Sequence, residues 1–511
     1  MTDDFAKSSL QTINLRLLFA ALVVGAASGF VASLYRLMLI WLERWSLFIY
    51  SLAKKQLIWL PVIFVALLGF ALVIAWMLQH YPMAGGSGIP QIKGQLQGYF
   101  HVRWLSTVLI KFIGGGLAIL GGLSLGREGP SVQIGASVGE AVGIGLVKTK
   151  RQRNILMASG ASAGLAAAFN APLAGVMFTL EEIYKYFSPI ILLSCMAAAV
   201  VSDAISRLLC GSEAVFDFHL SGQIPISDYG YLIVLGLVMG LFGAFYNWSL
   251  LKSQRLMGKV TLNIRVMISF LAAGLFGLYF PLVTGSGHAL VDKISISWTL
   301  SFLALIFIGK FILSMISYSS GAPGGIFFPL LVLCAALGGI FAQILSIGFG
   351  FPKVFFANII IIAMAAGFSA IVRAPITGMV LMIEMTGNFA NLLPLAVVSL
   401  IAYVVAELLK TRPIYDSLLS RMLATQQNEE NHAKAELYFE VLVQAHATAE
   451  RKKVKDIAFP HNALLVSVTR GGEKLIPNGE FKIYAGDYLL LLTDEAHEVS
   501  SREQMKKLTE K

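Results

Sequence analysis

Nine long apolar stretches constrain this chain more than any other feature. Residues 16–40, 58–78, 104–123, 189–209, 231–250, 266–283, 299–316, 327–348 and 354–383 each approach or exceed the roughly 18 to 20 residues that cross a bilayer as a helix. With 57% hydrophobic and only 13% charged residues in 511, the chain has more apolar surface than one soluble core could hide. The expectation is an all-α polytopic membrane protein. Several later runs are interrupted by Gly, Pro or a lone Glu, so hydropathy alone does not number the spans. The first run is too long for a removable signal peptide and is expected to be retained. Cys195, Cys210 and Cys334 sit in apolar runs without metal-ligand spacing; they are expected to pack, with neither a disulfide nor a metal inferred.

Charge is unevenly distributed. Residues from 421 onward hold 13 Lys+Arg against 14 Asp+Glu, which leaves 26 against 15 for the rest. The sharpest basic cluster, KTKRQR at Lys148 to Arg153, reads as a cytoplasmic loop by the positive-inside rule. It is short, lacks interleaved aromatics and is boxed between apolar segments, which argues against a nucleic-acid partner.

Hydrophobicity falls after about residue 420. A polar segment, MLATQQNEENHAKAE, reads as a helical tail or linker, and short runs rich in Val, Leu, Ile and Tyr follow: ALLVSVTR, KLIP, NGEFKIYAGD and YLLLLT. Separated by Gly and Asn turns, they predict strands of a small soluble α/β module. The expected division is a transmembrane domain over 1–420, with halves at about 10–210 and 225–420, a linker over 421–435 and a C-terminal domain over 436–511.

The membrane part contains a repeat. AGLAAAFNAPLAGVMFTLE (163–181) and AGFSAIVRAPITGMVLMIE (366–384) align without gaps and match at seven of nineteen positions. Upstream stand GREGP (126–130) and GIFFP (325–329), each a Gly-x-x-x-Pro before an apolar helix. Corresponding broken segments in two halves point to a transporter with its site near the midplane. A third broken element, GSGIP (86–90), follows the run 58–78. All three would aim unpaired N–H groups and a positive helix end into the membrane interior, where an anion can satisfy them.

GSGIP, GREGP, GIFFP and RPIYDS (412–417) occur in the order and approximate spacing of the CLC chloride channel and transporter family, which this chain resembles over nearly all of residues 10 to 420. The resemblance implies a voltage-gated chloride channel family fold of inverted-topology halves, a homodimer in the cell membrane, and one anion pathway per subunit. By motif position, Ser87 and Tyr415 correspond to the hydroxyls that coordinate the central anion, and Ile326 and Phe327 to the backbone donors. Serine at 87 is similar to chloride-preferring members; fluoride-exporting relatives depart from this motif and from the tyrosine.

Glu128 sits where a carboxylate can itself occupy an anion position at a helix start; in the resemblance it is the external gate. Glu181 and Glu182 end an apolar helix, and ionisable residues there are functional by default. Alignment through APLAG places the internal proton relay at Glu182, with Glu181 as an auxiliary neighbour. Channel-type relatives commonly lack an acid there, so proton/chloride antiport is expected, with a passive voltage- or ligand-gated chloride channel as the alternative. Glu384, the repeat counterpart of Glu181, is expected to be structural. Chloride and protons are the expected substrates, with no cofactor, and no nucleophile–base constellation suggests an enzyme.

The C-terminal module resembles the TrkA-C (RCK_C) subdomain over roughly 436–495, through KKVKDIAFP and ALLVSVTRGGEKLIPNGEFKIYAGDYLLLL. Such modules dimerise, and some bind cyclic di-AMP across the interface. The resemblance therefore implies a cytoplasmic regulatory domain, with His461 and Asn462 as candidate nucleotide contacts. No Gly-rich dinucleotide fingerprint precedes it.

Overall fold

A computed structural model describes residues 15–212, 216, 218, 220, 222–429, 436–460, 462–494 and 497–509. The chain forms two compact units, Met1–Met422 and Leu423–Lys511.

The first unit is helical. Its first half contains α1 (Leu15–Lys55), α2 (Leu60–His80), α3 (Ile89–Gln97), α4 (Trp104–Leu120), α5 (Glu128–Leu146), α6 (Lys150–Phe169), α7 (Pro172–Phe178) and α8 (Pro189–Cys210). The second half contains α9 (Tyr229–Met257), α10 (Leu262–Tyr279), α11 (His288–Val291), α12 (Leu300–Ser319), α13 (Phe327–Gly348), α14 (Phe356–Val372), α15 (Pro375–Thr386) and α16 (Leu392–Leu408), and α17 (Ile414–Glu429) follows. Among the described residues, eight helices are long and apolar enough to span a bilayer. The predicted run 354–383 is two helices: Arg373 takes a positive φ of 69° and Pro375 starts α15, because proline cannot supply the N–H a continuous helix needs.

The halves repeat each other. In one, α1 and α6 pack on α8; in the other, α9 and α14 pack on α16. The segments leading into α5 and α13 meet in an antiparallel bridge, with Gly126 N donating to Gly325 O and Gly325 N to Gly126 O, both at 2.7 Å. Antiparallel meeting of corresponding segments is what an inverted repeat requires.

Small residues allow the tight packing at the centre. A Cβ on Gly135 of α5 would strike the Gly160 carbonyl of α6, and a Cβ on Gly160 would strike that of Gly135. Without a hydrophobic drive between helices in lipid, such close approach is the main source of association. By contrast α14 is apolar on every side and buried along its length, the mark of a helix shielded by neighbours rather than lying at a surface.

The second unit has a four-stranded sheet in the order β1-β4-β2-β3, all neighbours antiparallel: β1 (Glu436–Leu442), β2 (Ala463–Arg470), β3 (Glu473–Leu475) and β4 (Tyr488–Asp494). A helix, α18 (Glu498–Thr509), packs against β1 and β4. The predicted strand NGEFKIYAGD is instead a loop outside the sheet; it has one isolated bridge, Lys453 to Lys482, and backbone bonds to residues 451–455, among them Val454 N to Phe481 O at 2.9 Å and Ile483 N to Lys452 O at 3.0 Å. Asp487 explains the difference: it accepts from Arg470 at two 2.7 Å bonds and from the Tyr484 amide at 2.8 Å, which fixes a turn. Part of the expected linker, 421–429, continues α17.

Candidate functional site

Three broken elements converge. Gly86 (φ 59°) and Gly88 (φ 89°) take left-handed conformations that glycine adopts without steric cost, and Pro90 lies in the first turn of α3, where a missing N–H costs nothing. The loop is pinned to the second half: Gly86 N donates to Gly321 O and Gly324 N to Gly86 O, both at 3.0 Å. Lys111 donates to the Gly86 carbonyl at 2.7 Å. Ser87 lies against Gly129 of α5, since a Cβ there would meet the serine, and Gly325 lies against the Gly129 amide. The starts of α3, α5 and α13 therefore share one neighbourhood.

The polar groups there are buried and unpaired. Among the described residues, Ser87 Oγ, Tyr415 OH and both carboxylate oxygens of Glu128 have no hydrogen-bond partner, although Ser87 is 1% and Glu128 and Tyr415 are 0% exposed. Buried polar atoms are normally satisfied, so a group of unpaired ones directed at one place suits a polar or charged ligand. Tyr318 has its hydroxyl alongside Ser87, and the amides of Phe328 and of Glu128 itself face the Glu128 carboxylate. Arg127 Nε stands 3.8 Å from Glu128 Oε1. The Glu128 carboxylate lies over Gly126, where any Cβ would collide with it.

Ile326 caps α13 and Phe327 opens it, so their amides belong to the helix start that has no partner within the helix. Phe178 joins this helix to Tyr415: its ring is 5.9 Å from that of Phe327 and 6.3 Å from that of Tyr415, edge-on to both. An apolar wall with a few convergent hydroxyls and amides is chemistry suited to a dehydrated anion.

Glu182 lies in a π-helical turn, Thr179–Tyr184, a distortion often found at functional sites. It is 1% exposed and bonded at 2.6 Å to Lys93 Nζ, itself 1% exposed. Lys93 also pairs with Asp416, and Asp416 with Lys185. Glu181 turns away from this chain. Its carboxylate accepts from the amides of Ile376 (3.2 Å) and Thr377 (2.8 Å) and from the Thr377 hydroxyl (2.8 Å), capping α15. Glu384 returns the favour across the repeat, accepting from the Leu173 (3.0 Å) and Ala174 (2.7 Å) amides at the start of α7. It is thus structural, as expected, and the cap it makes is on the first half.

Two features escaped the sequence reading. Thr284-Gly285-Ser286-Gly287 repeats Gly85-Gly86-Ser87-Gly88 at an offset of 199, the same offset that relates GREGP to GIFFP; that spacing could have revealed it. Lys93 and Asp416 carried the signal that any ionisable residue in an apolar setting carries. In the C-terminal unit, His461 lies outside the described residues, and the Asn462 carbonyl accepts from Thr493 Oγ1 at 2.6 Å.

The family model described as Voltage gated chloride channel matches residues 70–407, and that of the TrkA-C domain matches 438–499. The chain belongs to the voltage-gated chloride channel family, and it is a multi-pass membrane protein. It is 37% identical over 424 residues to the H(+)/Cl(-) exchange transporter ClcA of Vibrio cholerae, covering 80% of this chain and 90% of that one, and 34% identical over 431 residues to ClcA of Klebsiella pneumoniae, covering 81% and 91%. Among solved structures it resembles a slow cyanobacterial Cl-/H+ antiporter, with a TM-score of 0.76 and 33% identity over 81% of this chain and 99% of that one. A CLC-type fluoride/proton antiporter shares the fold, with a TM-score of 0.64 and 24% identity over 78% and 96%.

Proposed function

We propose that this protein exchanges chloride for protons across the membrane. The observation that carries the reading is a pair of buried carboxylates flanking unpaired anion-directed groups: Glu128 beside Ser87, and Glu182 tied through Lys93 to the residue after Tyr415. Relatives named as H(+)/Cl(-) exchange transporters support it.

In this reading Ser87 and Tyr415 hydroxyls and the Ile326 and Phe327 amides hold the central chloride. The Glu128 carboxylate is an anion attached to the protein, and at the positive start of α5 it competes with chloride for the same field. When it takes up a proton it loses that attraction and withdraws, leaving the place to chloride; when chloride leaves, it releases the proton and returns. Glu182 supplies protons from the cytoplasmic side. A passive channel would need no second buried acid.

The reading extends to assembly and control. The molecule acts as a transporter rather than an enzyme, as a homodimer in the cell membrane, with the C-terminal domain in the cytoplasm. Tyr438, Leu442, Leu464 and Tyr488 stand exposed on one face of the C-terminal sheet, a surface suited to a second copy. The TrkA-C match supports a regulatory ligand, cyclic di-AMP, with His461 and Asn462 among its contacts.

The test is chloride-driven proton uptake in liposomes holding the purified protein, beside Glu182→Gln. A chloride gradient should drive protons uphill in the parent, and the variant should move chloride without protons. Chloride flux without proton movement in the parent would overturn the exchange reading in favour of a channel.

A further inference from the structure

Glu182 does not stand alone, and its partners grade from buried to wet. Glu182 and Lys93 are each 1% exposed, Asp416 is 33% exposed and Lys185 45%. The order Glu182, Lys93, Asp416, Lys185 alternates in charge from the interior outward. The members come from three parts of the machinery: Lys93 is on α3, the helix that follows Ser87, Asp416 is on α17 directly after Tyr415, and the other two lie at one turn. Lys185 follows the turn that carries Glu182.

A buried ammonium that pairs with a carboxylate is strongly destabilised if that charge is removed and nothing replaces it. Lys93 has two carboxylates competing for it, Glu182 at 2.6 Å and Asp416. It can therefore lose one without being stranded. That is the property required beside a carboxylate that alternates between charged and neutral.

We infer that Lys93 is a positioning residue for proton entry, holding Glu182 in its ionised, proton-accepting state and passing to Asp416 alone each time Glu182 is protonated. The step balances simply: hydronium gives a proton to the Glu182 carboxylate and becomes water, while Lys93 stays an ammonium paired with the Asp416 carboxylate. The inference rests on the exchange reading. Facing Glu182 are Lys93 from α3, Asp416 and Tyr415 from α17, and Lys185 from its own turn; Glu181 points to α15 instead.

The two partners make opposite demands, and this separates a proton-setting role from simple bracing. Removing Lys93 takes a cation from Glu182, so the carboxylate accepts protons at higher pH. Removing the Asp416 charge leaves Lys93 to Glu182 alone, so protonation needs lower pH.

The experiment measures chloride-driven proton uptake in liposomes across a series of pH values for the parent, Lys93→Met, Lys93→Arg and Asp416→Asn. The midpoint at which uptake fails as pH rises should move up by about one pH unit or more in Lys93→Met, from the effect of losing an opposite charge at hydrogen-bond distance. Lys93→Arg should restore the parent midpoint, and Asp416→Asn should lower it. Midpoints that coincide in all four, with only melting temperatures changed, overturn the inference and leave exchange intact. A parent without proton uptake overturns the exchange reading and the inference with it. Should Lys93→Met not fold, Asp416→Asn decides: a lowered midpoint supports the role, and an unmoved or raised one defeats it.

Discussion

The two Gly-Ser-Gly loops are built alike and filled differently. Both have left-handed glycines on either side of the serine, at φ 59° and 89° in one and 65° and 95° in the other. In both, a buried lysine donates to the first glycine carbonyl, Lys111 to Gly86 at 2.7 Å and Lys310 to Gly285 at 2.9 Å. Each first-glycine amide reaches across the repeat, Gly86 to Gly321 at 3.0 Å and Gly285 to Gly122 at 3.3 Å. Yet Ser87 Oγ is unpaired, while the Ser286 amide and hydroxyl donate to Glu43 of α1 at 2.8 and 2.9 Å. The scaffold was doubled, and only one copy kept an open cradle. The same asymmetry holds elsewhere: at the repeat offsets Glu128 faces Phe327 as its counterpart, Glu182 faces Met385 and Lys93 faces Asp292. Backbone geometry is shared by the halves, and the acids assigned to proton transfer lie in the first.

The largest expected consequence of this asymmetry concerns Glu128. Replacing it by Gln should abolish proton uptake entirely while chloride still moves, as read from paired chloride and pH electrodes on liposomes; retained proton coupling would remove the gate from the first half. Next come the twin serines. Ser87→Ala should weaken chloride binding by about tenfold or more, since a hydrogen bond to a charged partner contributes about 1.5–3 kcal/mol. Ser286→Ala should leave chloride affinity where it was, and calorimetry on both variants measures the contrast.

Glu43→Ala should act on stability rather than binding. It strands the Ser286 amide and hydroxyl, at a cost of about 1–3 kcal/mol, visible as a lower melting temperature in detergent. The smallest effects should be the most symmetric: Glu181→Ala and Glu384→Ala each remove one cap from the opposite half, and each should cost about 1 kcal/mol. Loss of proton coupling in Glu181→Ala alone would show that this residue belongs to the relay as well as to the scaffold.

The apolar runs and the 163–181 and 366–384 repeat made the helical, two-halved membrane fold legible from residue types, because span length and Gly/Pro interruptions are local properties. The convergence of GSGIP, GREGP and GIFFP was legible as a grammar of helix starts. What stayed hidden depends on contacts between distant segments. The swapped caps of Glu181 and Glu384 cross about two hundred residues, and Lys93 meets Asp416 at a separation of 323. Composition gives no hint of such pairings. The loop 478–487 read as a strand because Phe481, Ile483 and Tyr484 favour one; the bonds of Asp487 decided otherwise.

The most direct test of the open-cradle account is anomalous diffraction from crystals grown or soaked in bromide. A peak is expected within hydrogen-bond reach of Ser87 Oγ, Tyr415 OH and the Ile326 and Phe327 amides, and none at Ser286. A peak at Ser286 with none at Ser87 would contradict it.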